Sequence, residues 1–360
     1  MTNGIHKGMR TTLGGLHRML DWSLFCNPPE VGRTLLKATT VQDQLTYASP
    51  DDSLPKRLLI RSIESLTGQR RLARVYDHVL QTVPVNESHA IWPTALHALK
   101  VHADYNREQL IKVPAEGPVV LVANHPYGVL DGLIICHLAA QIRSDFKILI
   151  HRALCIEPRV AEHMLPIDFS EGTEAIQSNI ETKQRALATL RAGNAIVIFP
   201  AGGIATTANG PFGHAVDLEW KLFVAKLIQM TKATVLPIHF DGQNSRVFQL
   251  ASHISETLRL ALIIHEVNRQ QGATIRVTIG DPIPYHQLAD IRKRKELLHY
   301  LRNVIYDLAP TAVPHQQIPR LPSERRAERQ QRIQQQKGRV PRTPILGELY
   351  SWRQLPRNRA

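Results

Sequence analysis

The sequence has few cysteines and no long hydrophobic run. Its 360 residues include only Cys26, Cys136 and Cys155, and these form neither a CxxC pair nor a metal-like spacing. A disulfide framework is therefore excluded, and a cysteine zinc site has no support. No stretch of about 18 apolar residues occurs, and the N-terminus lacks the apolar core of a secretory signal. The sequence thus predicts a cytoplasmic protein without a transmembrane helix.

Several cofactor and nucleophile motifs are also missing. There is no GxGxxG or P-loop, which argues against a nucleotide cofactor, and no GxSxG to mark a serine nucleophile. His265 and Glu266 begin like the HExxH motif of zinc proteases, but Arg269 stands where the second histidine would be required. We therefore expect no metal and no bound cofactor.

Positive charge is concentrated near the C-terminus. Residues 320–360 carry a net charge of +8 out of the total of +13, in a context rich in Gln, Arg and Pro. A segment with so few apolar residues cannot offset its ordering entropy, so we predict a largely disordered basic tail. It could be a solvated extension, or each basic residue near anionic lipid headgroups could contribute about 1 kcal/mol of attraction. A nucleic-acid role would depend on the tail alone, so no nucleic-acid partner is expected.

From residue 118 onward, short apolar runs alternate with amphipathic segments. A helix is predicted from Val216 to Ile228 and another over about 286–308. Five β-branched segments, apolar on both faces, are typical of strands inside a covered sheet: 119–123, 146–150, 195–199, 234–238 and 274–280. The predicted fold class is α/β, with a mostly parallel mixed sheet flanked by helices.

A helical segment precedes the predicted sheet. Pro55 suits the first turn of a helix that ends before Gly68, and a second helix continues through Leu80. Basic residues lie beside apolar ones in both, which fits either an interfacial membrane helix or ordinary packing with a solvated basic face. The chain divides into an irregular segment at 1–53, an amphipathic helical segment at 54–100, an α/β domain at 101–310 and the tail at 311–360.

Polar residues cluster in three loops that follow predicted strands. His125 and Asp131 lie in the first loop, the sequence PAGG begins the second at Pro200, and Arg246 ends the third. Ligands of open α/β sheets bind outside the carboxyl ends of the strands, so these loops can line one cleft. The glycines of the second loop leave their N–H groups unshielded, and the helix that starts after Gly128 adds a favourable dipole.

His125 and Asp131 form a candidate general base. A carboxylate beside an imidazole fixes its tautomer and stabilises the imidazolium that forms. The two are six residues apart, so on one continuous helix they would point to different faces. Pro126 and Gly128 permit the chain to turn back and bring them together. The alternative is a strand-end histidine hydrogen-bonded to the backbone, and the spacing alone does not decide between the two.

The ordered motifs NHPYGVLDG, IVIFPAGG, VLPIHFDGQNSR and IGDPI resemble the glycerolipid acyltransferases of the PlsC type. Over about residues 54–285 the chain is most similar to the hemolysin-like branch associated with ornithine-lipid acylation. Members of that family transfer a fatty acyl group from acyl carrier protein or coenzyme A to a lipid hydroxyl, without a covalent acyl-enzyme. The resemblance implies that His125 deprotonates the acceptor and that Asp131 orients it. It also implies a peripheral position on the inner face of the cell membrane.

The substrate-binding residues predicted beside this pair come from the same loops and include two arginines. The set is Asn124, Gly128, Pro200, Gly202, Gly203, Arg246 and Arg152. We expect Gly202 and Gly203 to donate backbone N–H groups to the developing oxyanion. Arg246 and Arg152 are candidate cations for a carboxylate or phosphate of the acceptor.

Three departures from the family pattern concern the acceptor lipid. Five residues rather than four separate His125 from Asp131, FPAGGIA replaces a motif like FPEGTR, and Phe169 stands where the second motif has an arginine. Without these arginines, bidentate phosphate recognition is lost, which favours a lyso-aminolipid such as lyso-ornithine lipid. The alternatives are a 1-acylglycerol-3-phosphate acyltransferase and a non-catalytic lipid-binding module on the same scaffold.

Overall fold

The computed structural model describes residues 45–48, 52–155, 157–170 and 172–337. Strands are numbered in chain order: β1 His102–Tyr105, β2 Val119–Ala123, β3 Lys147–His151, β4 Met164–Ile167, β5 Ala195–Ile198, β6 Thr206–Thr207, β7 Ala215–Val216, β8 Thr234–Phe240 and β9 Thr274–Ile279. Helices are numbered likewise: α1 Leu54–Leu66, α2 Gln69–Thr82, α3 Ile91–Ala98, α4 Arg107–Ile111, α5 Val129–Ile142, α6 Thr173–Arg191, α7 Phe223–Thr231, α8 Arg246–Ile254, α9 Glu256–Ala261, α10 Ile263–Arg269, α11 Tyr285–Leu288, α12 Arg294–Asp307 and α13 Pro322–Lys337. Short 3₁₀ turns occur at Ser88–Ala90, Arg152–Leu154 and Pro158–His163.

The central sheet has seven strands in the order β1-β9-β8-β2-β5-β3-β4. Its neighbours are parallel except for β8 and β9, which are antiparallel. The carboxyl ends of β2, β3, β4, β5 and β8 therefore share one edge of the sheet. Because β9 runs the other way and β1 is parallel to it, the first residues of β1 and β9 lie at that same edge. This architecture confirms the predicted mostly parallel mixed sheet.

Helices cover both faces of the sheet, and β2 shows how the two layers form. Val119 and Leu121 pack in the layer that holds α3 and α5, whereas Val120 and Val122 pack in the layer that holds α6, α7 and α12. All five residues of β2 are buried because successive side chains point to opposite faces. The sheet is thus a rigid support for the loops at its edges.

All five predicted strands are present within a residue or two of the expected bounds, whereas β1, β4 and the two-residue strands β6 and β7 were not predicted. Strand β1 reads HADY, a polar edge segment without a run of apolar residues. Such a strand lacks the signal that marks a buried one.

Two of the predicted helices are shorter than expected. The prediction of a helix from Val216 is wrong, because Val216 belongs to β7 and the helix starts at Phe223. Instead of turning helically, Lys221 donates its backbone N–H to the carbonyl of Pro200. The helix predicted over 286–308 is interrupted between α11 and α12, where Gln229 donates to the carbonyls of Ile291 and Arg292.

Helices α1 and α2 are confirmed, but the leucines of α1 mainly face outward. Leu54, Leu58 and Leu66 are 66%, 66% and 86% exposed, while Ile60 and Glu64 are buried. A leucine-rich outer face is unusual for a helix that packs on a domain, because apolar residues normally face the core. The two alternatives, an interfacial membrane helix and ordinary packing with a solvated basic face, both stay predictions.

Within the segment predicted to be a disordered tail, residues 322–337 form helix α13. Pro322 stands at its start, where proline is compatible with a helix, and Glu, Arg, Gln and Ala favour helix along its length. Ser323 and Arg325 contact Glu256 and His253 of the neighbouring helices. Residues 338–360, and most of the segment 1–53 with Cys26, lie outside the described residues, and the domain boundaries stay predictions.

Candidate active site

His125 and Asp131 lie together in the loop that follows β2. His125 Nδ1 is 3.1 Å from Asp131 Oδ2, and Asp131 is fully buried while the His125 side chain is 16% exposed. Burial raises the pKa of Asp131, and the nearby imidazole and two backbone N–H groups partly offset this effect. The ring N–H is not aligned with the carboxylate oxygen. Catalytic hydrogen bonds are often poorly aligned before substrate binds.

A tight turn brings the two side chains together across five intervening residues. Asp131 is the third residue of α5, and its Oδ2 accepts from the backbone N–H groups of Tyr127 at 2.7 Å and Gly128 at 2.8 Å. Gly128 has φ 82° and ψ −110°, a conformation that residues with a side chain rarely adopt. The chain therefore reverses at Gly128, and Asp131 reaches back towards His125.

The His125 ring is also fixed from its other sides. It stacks on Phe199, with ring centroids 4.0 Å apart, and Phe199 directly follows β5. The backbone N–H of His125 donates to Asp217 Oδ1 at 3.0 Å, and its carbonyl accepts from Ala205 N–H at 2.7 Å. Loops from three parts of the chain thus hold one imidazole in place.

Asp217 is a site residue that the sequence analysis missed. It is fully buried, its Oδ2 accepts from Trp220 Nε1 at 2.9 Å, and its own N–H donates to Tyr306 Oη at 2.7 Å. Arg302 donates to the Asp217 carbonyl at 2.9 Å. Burial raises the pKa of Asp217, and Arg302 works against that rise. Asp217 thereby connects the His125 loop to α12, which no local pattern around residue 217 reveals.

Asn124 and Pro200, two of the predicted substrate-binding residues, are buried, and both form hydrogen bonds within the protein. Asn124 Nδ2 donates to the Phe240 carbonyl at 2.9 Å, and its Oδ1 accepts from Phe240 N–H at 2.7 Å. This pair of hydrogen bonds ties the end of β2 to the end of β8. The Pro200 carbonyl accepts from Lys221 N–H. Both residues hold the loops in place, and their predicted contact with substrate stays a prediction.

The two glycines of the second loop differ in what their N–H groups do. Gly202 has φ 68° and donates to the Phe199 carbonyl at 3.0 Å, so its N–H already has an acceptor. Among the described residues, no acceptor is bonded to the N–H of Gly203. The Phe169 ring lies about 3.9 Å from the position that a Cβ on Gly202 would take. Of the predicted oxyanion donors, Gly203 is the one left available.

The two predicted arginines have different partners. Arg152, after β3, donates to Asp168 Oδ2 at 2.9 Å, and hydrogen bonds from Ser170, together with Arg152, lower the pKa of Asp168 to about 2. Arg246, the first residue of α8, stacks on Phe212 with its guanidinium carbon 5.1 Å from the ring centroid. In the described part of the chain, Arg246 has no carboxylate partner. Arg246 is therefore the freer cation of the two.

The loop after β8 contributes further groups that the sequence did not single out. Tyr127 Oη donates to the Asp241 carbonyl at 3.1 Å, and burial raises the pKa of Tyr127 to about 12. Gly242 is needed there, because a Cβ would stand 1.9 Å from Tyr127 Oη. Asn244 is only 2% exposed, and neither atom of its amide is hydrogen-bonded within the described residues. A buried amide without partners is costly unless another molecule satisfies it.

This arrangement can deprotonate a hydroxyl group. Asp131 engages Nδ1 of His125, which leaves Nε2 as the basic atom, and Nε2 has no bonded partner in the part of the chain that is described. Within those residues, no three His, Cys, Asp or Glu side chains are grouped to hold a metal ion. None of their helices is long and apolar enough to span a bilayer.

Comparison with known proteins places these residues within a matched region. The profile of an acyltransferase family matches residues 82–312. Over 207 residues, the chain is 28% identical to a lyso-glycine lipid O-acyltransferase of Phocaeicola vulgatus, covering 55% of this chain and 71% of that protein. The corresponding enzyme of Bacteroides thetaiotaomicron is 28% identical over 204 residues, covering 54% and 72%. The crystal structure of the 1-acyl-sn-glycerophosphate acyltransferase PlsC from Thermotoga maritima aligns at 14% identity and a TM-score of 0.40, covering 70% of this chain and 95% of that one.

Proposed function

Since the chain belongs to this acyltransferase family, we propose that it transfers a fatty acyl group from an acyl thioester to the hydroxyl of a lysolipid. Family membership confirms the resemblance seen in the motifs and the expectation of an acyltransferase. The observation that carries the proposed chemistry is the 3.1 Å contact between His125 Nδ1 and the buried Asp131 carboxylate. That contact sits at the sheet edge where three loops converge.

His125 Nε2 takes the proton of the acceptor hydroxyl, and the resulting oxygen attacks the thioester carbonyl. The new C–O bond forms, the C–S bond breaks, and the thiolate leaving group recovers the proton from the imidazolium. Asp131 stabilises that imidazolium and fixes its tautomer. A positioned general base of this kind contributes about 10²- to 10⁴-fold. No acyl group is attached to the protein in this scheme.

Gly203 N–H is the candidate donor to the oxyanion of the tetrahedral intermediate. Within the described residues its N–H has no bonded acceptor, and two residues further on Ala205 N–H donates to the His125 carbonyl. Charge that develops on the carbonyl oxygen is best stabilised by a donor fixed in advance. The turn that holds Gly203 is closed by the bond from Gly202 N–H to the Phe199 carbonyl.

We propose that the acceptor headgroup carries a carboxylate, as in lyso-aminolipids. Two similar proteins are named lyso-glycine lipid O-acyltransferases. Arg246, which is exposed and stacked on Phe212, offers a guanidinium that can pair with a carboxylate. Phe169, an apolar ring, lies beside Gly202 where the common motif has an arginine. This environment disfavours a phosphate as the main recognition group.

A lysolipid acceptor also calls for contact with a membrane surface. The outward leucines of α1 and the exposed Val247, Leu250 and Ile254 of α8 provide two apolar faces. Both helices pack against α9, and α8 starts next to the loop of Asp241 that Tyr127 contacts. We place these faces at the bilayer surface, so that the lipid reaches the site without leaving the membrane.

The test is acyl transfer by the purified full chain. Lyso-glycine lipid, lyso-ornithine lipid and lysophosphatidate are each offered with acyl-coenzyme A and with acyl-carrier protein. His125→Ala should lower kcat by about 10²- to 10⁴-fold, and His299→Ala, an exposed histidine on α12, should leave it unchanged. Near-normal transfer by His125→Ala would contradict the base assignment. Lysolipid binding without transfer by the wild-type chain would instead identify a non-catalytic lipid-binding module.

Arg246→Gln tests the headgroup assignment in the same assay. We expect a KM for the carboxylate-bearing acceptors that is at least about tenfold higher, because a charge-assisted hydrogen bond contributes about 1.5–3 kcal/mol. kcat should stay close to that of the wild type. An equal rise in KM for an uncharged monoacylglycerol would show that Arg246 acts through packing rather than through headgroup charge.

A further inference from the structure

A basic groove lies between helices α2 and α3, apart from the His125 loop. Its cavity is about 450 Å³, and its walls carry five basic or imidazole side chains: Arg71, Arg74, His78, His97 and Lys100. All five are exposed, and Val75 and Ala98 between them are half-buried. The groove is open to solvent, and its volume lies in the range of small-molecule sites.

Charge in this groove is not balanced by acidic groups. Within the described residues, none of the five lining side chains takes part in an ion pair or side-chain hydrogen bond. Helix α3 contains no acidic residue, and Asp77 of α2 is turned about 100° around the helix from the groove face. Cations held close together without counter-charges repel one another, so an anion binding there relieves that repulsion.

The backbone of Lys100 has a conformation that is unfavourable for a residue with a side chain. It has φ 55°, the left-handed conformation that follows a helix end and that glycine or asparagine usually supplies. Its N–H donates to the His97 carbonyl at 2.9 Å, and Val101 N–H donates to Leu96. A lysine thus occupies a position where glycine would be less strained, and it lines the same groove as Arg71 and Arg74.

One wall of the groove ends near the sheet edge that holds the His125 loop. Lys100 lies two residues before β1, whose start lies at that edge, and β1 is three strands from β2. Three strand spacings correspond to about 14 Å. Asn268 donates to the Gly68 carbonyl at the start of α2, and the next residue, Arg269, acts electrostatically on Tyr127. The groove and the His125 loop are therefore linked through α10.

We propose that this groove binds the phosphate of the phosphopantetheine arm that carries the acyl thioester. This inference rests on the proposed function, because that function requires a thioester donor. Coenzyme A and acyl carrier protein both present a phosphate at one end of an extended pantetheine chain and the reactive sulfur at the other. The arm is long enough to bridge three strand spacings, so a phosphate held here leaves the thioester within reach of His125.

The groove suits a phosphate better than a bilayer. The large exposed apolar side chains of the helical segment 54–82 lie on α1 and none lies on α2, so the groove has nothing to insert into lipid. Arginine and lysine side chains converging on a concavity are the groups that recognise phosphate oxygens.

Measuring ligand binding directly tests the groove independently of acyl transfer. The triple variant Arg71→Gln/Arg74→Gln/Lys100→Gly removes the permanent charges, and glycine suits the backbone at position 100. Arg185→Gln/Arg191→Gln on α6 is the control, because both arginines are exposed and α6 belongs to the layer on the other face of the sheet. Calorimetry of the full chain is run with coenzyme A, with pantetheine lacking phosphate, and with carrier protein with and without its phosphopantetheine arm.

We expect the wild-type chain and the α6 control to bind coenzyme A, the arm-bearing carrier protein, or both. The triple variant should bind them at least tenfold more weakly, and pantetheine should bind the wild type and the variant equally. Equal affinity of the variant for the phosphate ligands, no binding by the wild type, or equal binding of carrier protein without its arm would each overturn the proposal. If coenzyme A binding depends on the groove but the wild type transfers no acyl group, phosphate binding in the groove is supported and the proposed function is wrong.

Discussion

At the scale of single residues, Gly128 determines whether the catalytic loop can form. Its φ of 82° is unfavourable for any residue with a side chain, and a Cβ there would stand 2.6 Å from Ile204 Cδ1. We expect Gly128→Ala to lower the free energy of unfolding by at least about 2 kcal/mol, because backbone strain and overpacking act together. Urea unfolding followed by circular dichroism measures this.

Gly132→Ala is the matched control in the same helix. No atom lies within 4 Å of the position that a Cβ on Gly132 would take, and its φ is negative. Alanine is the better helix former, so this variant should raise the free energy of unfolding by about 0.5–1 kcal/mol. Two variants that destabilise equally would show that the conformation at Gly128 is not what the loop requires.

Asn244 offers a residue-scale test of whether a buried amide serves the substrate. Both amide atoms lack hydrogen bonds within the described residues, so replacing the side chain with a leucine of similar size removes a desolvation cost. We expect Asn244→Leu to raise the melting temperature while kcat/KM for acyl transfer falls at least about tenfold. A variant that is less stable and fully active would assign Asn244 to the fold alone.

The sequence could predict part of the site at this scale. His125 and Asp131 lie in one loop, and their motif carries the resemblance, so both could be named in advance. Asp217 could not, because it is 92 residues from His125 in the chain and its role depends on the fold bringing β7 beside the catalytic loop. The structural role of Asn124 could not be predicted for a similar reason, since its partner Phe240 is 116 residues away.

At the scale of elements, strands were easier to predict than helices. Strands β2, β5 and β8 are buried on both faces, so their apolar runs are unbroken and their ends are clear. The segment from Val216 has apolar residues at helical spacing, but its first residues are buried as part of a strand and an extended segment, not as one face of a helix. Asp217 and Trp220 bind each other in an extended segment, a tertiary contact that outweighs local periodicity.

The exposed leucines of α1 are predicted to drive binding of the protein to lipid vesicles. Changing Leu54, Leu58 and Leu66 to Gln removes three exposed apolar side chains without disturbing the buried Ile60. We expect this triple variant to lose most of its co-sedimentation with vesicles that contain anionic lipid, because buried apolar area drives interfacial binding. The variant Ile176→Gln/Ile180→Gln, on the exposed face of α6, is the control and should sediment like the wild type. Unchanged binding of the α1 variant would assign that face to another partner.

At the scale of the whole molecule, buried ionisable groups connect the fold to pH. Burial raises the pKa of Asp131, Asp217 and Glu64, so these acids favour the folded state at low pH and lose that contribution as pH rises through their folded pKa values. His239, buried at the end of β8 against Tyr306, acts in the opposite direction. The pH dependence of unfolding is therefore a sum of opposing contributions, and a single substitution is needed to separate them.

His239→Gln isolates the histidine contribution. Burial lowers the pKa of His239 to about 4, from 6.5 in the unfolded chain. Below pH 6.5 the unfolded state binds a proton that the folded state does not, so the wild type loses stability as pH falls from 6.5 to 4. A difference of that size corresponds to about 3 kcal/mol, which the variant should no longer lose. Urea titrations at pH 7, 5.5 and 4.5 measure the change in the free energy of unfolding. If the free energy of unfolding depends on pH in the same way in both proteins, the prediction is wrong. His239 would then bind a proton in the folded state, because water or a local opening gives solvent access to its ring.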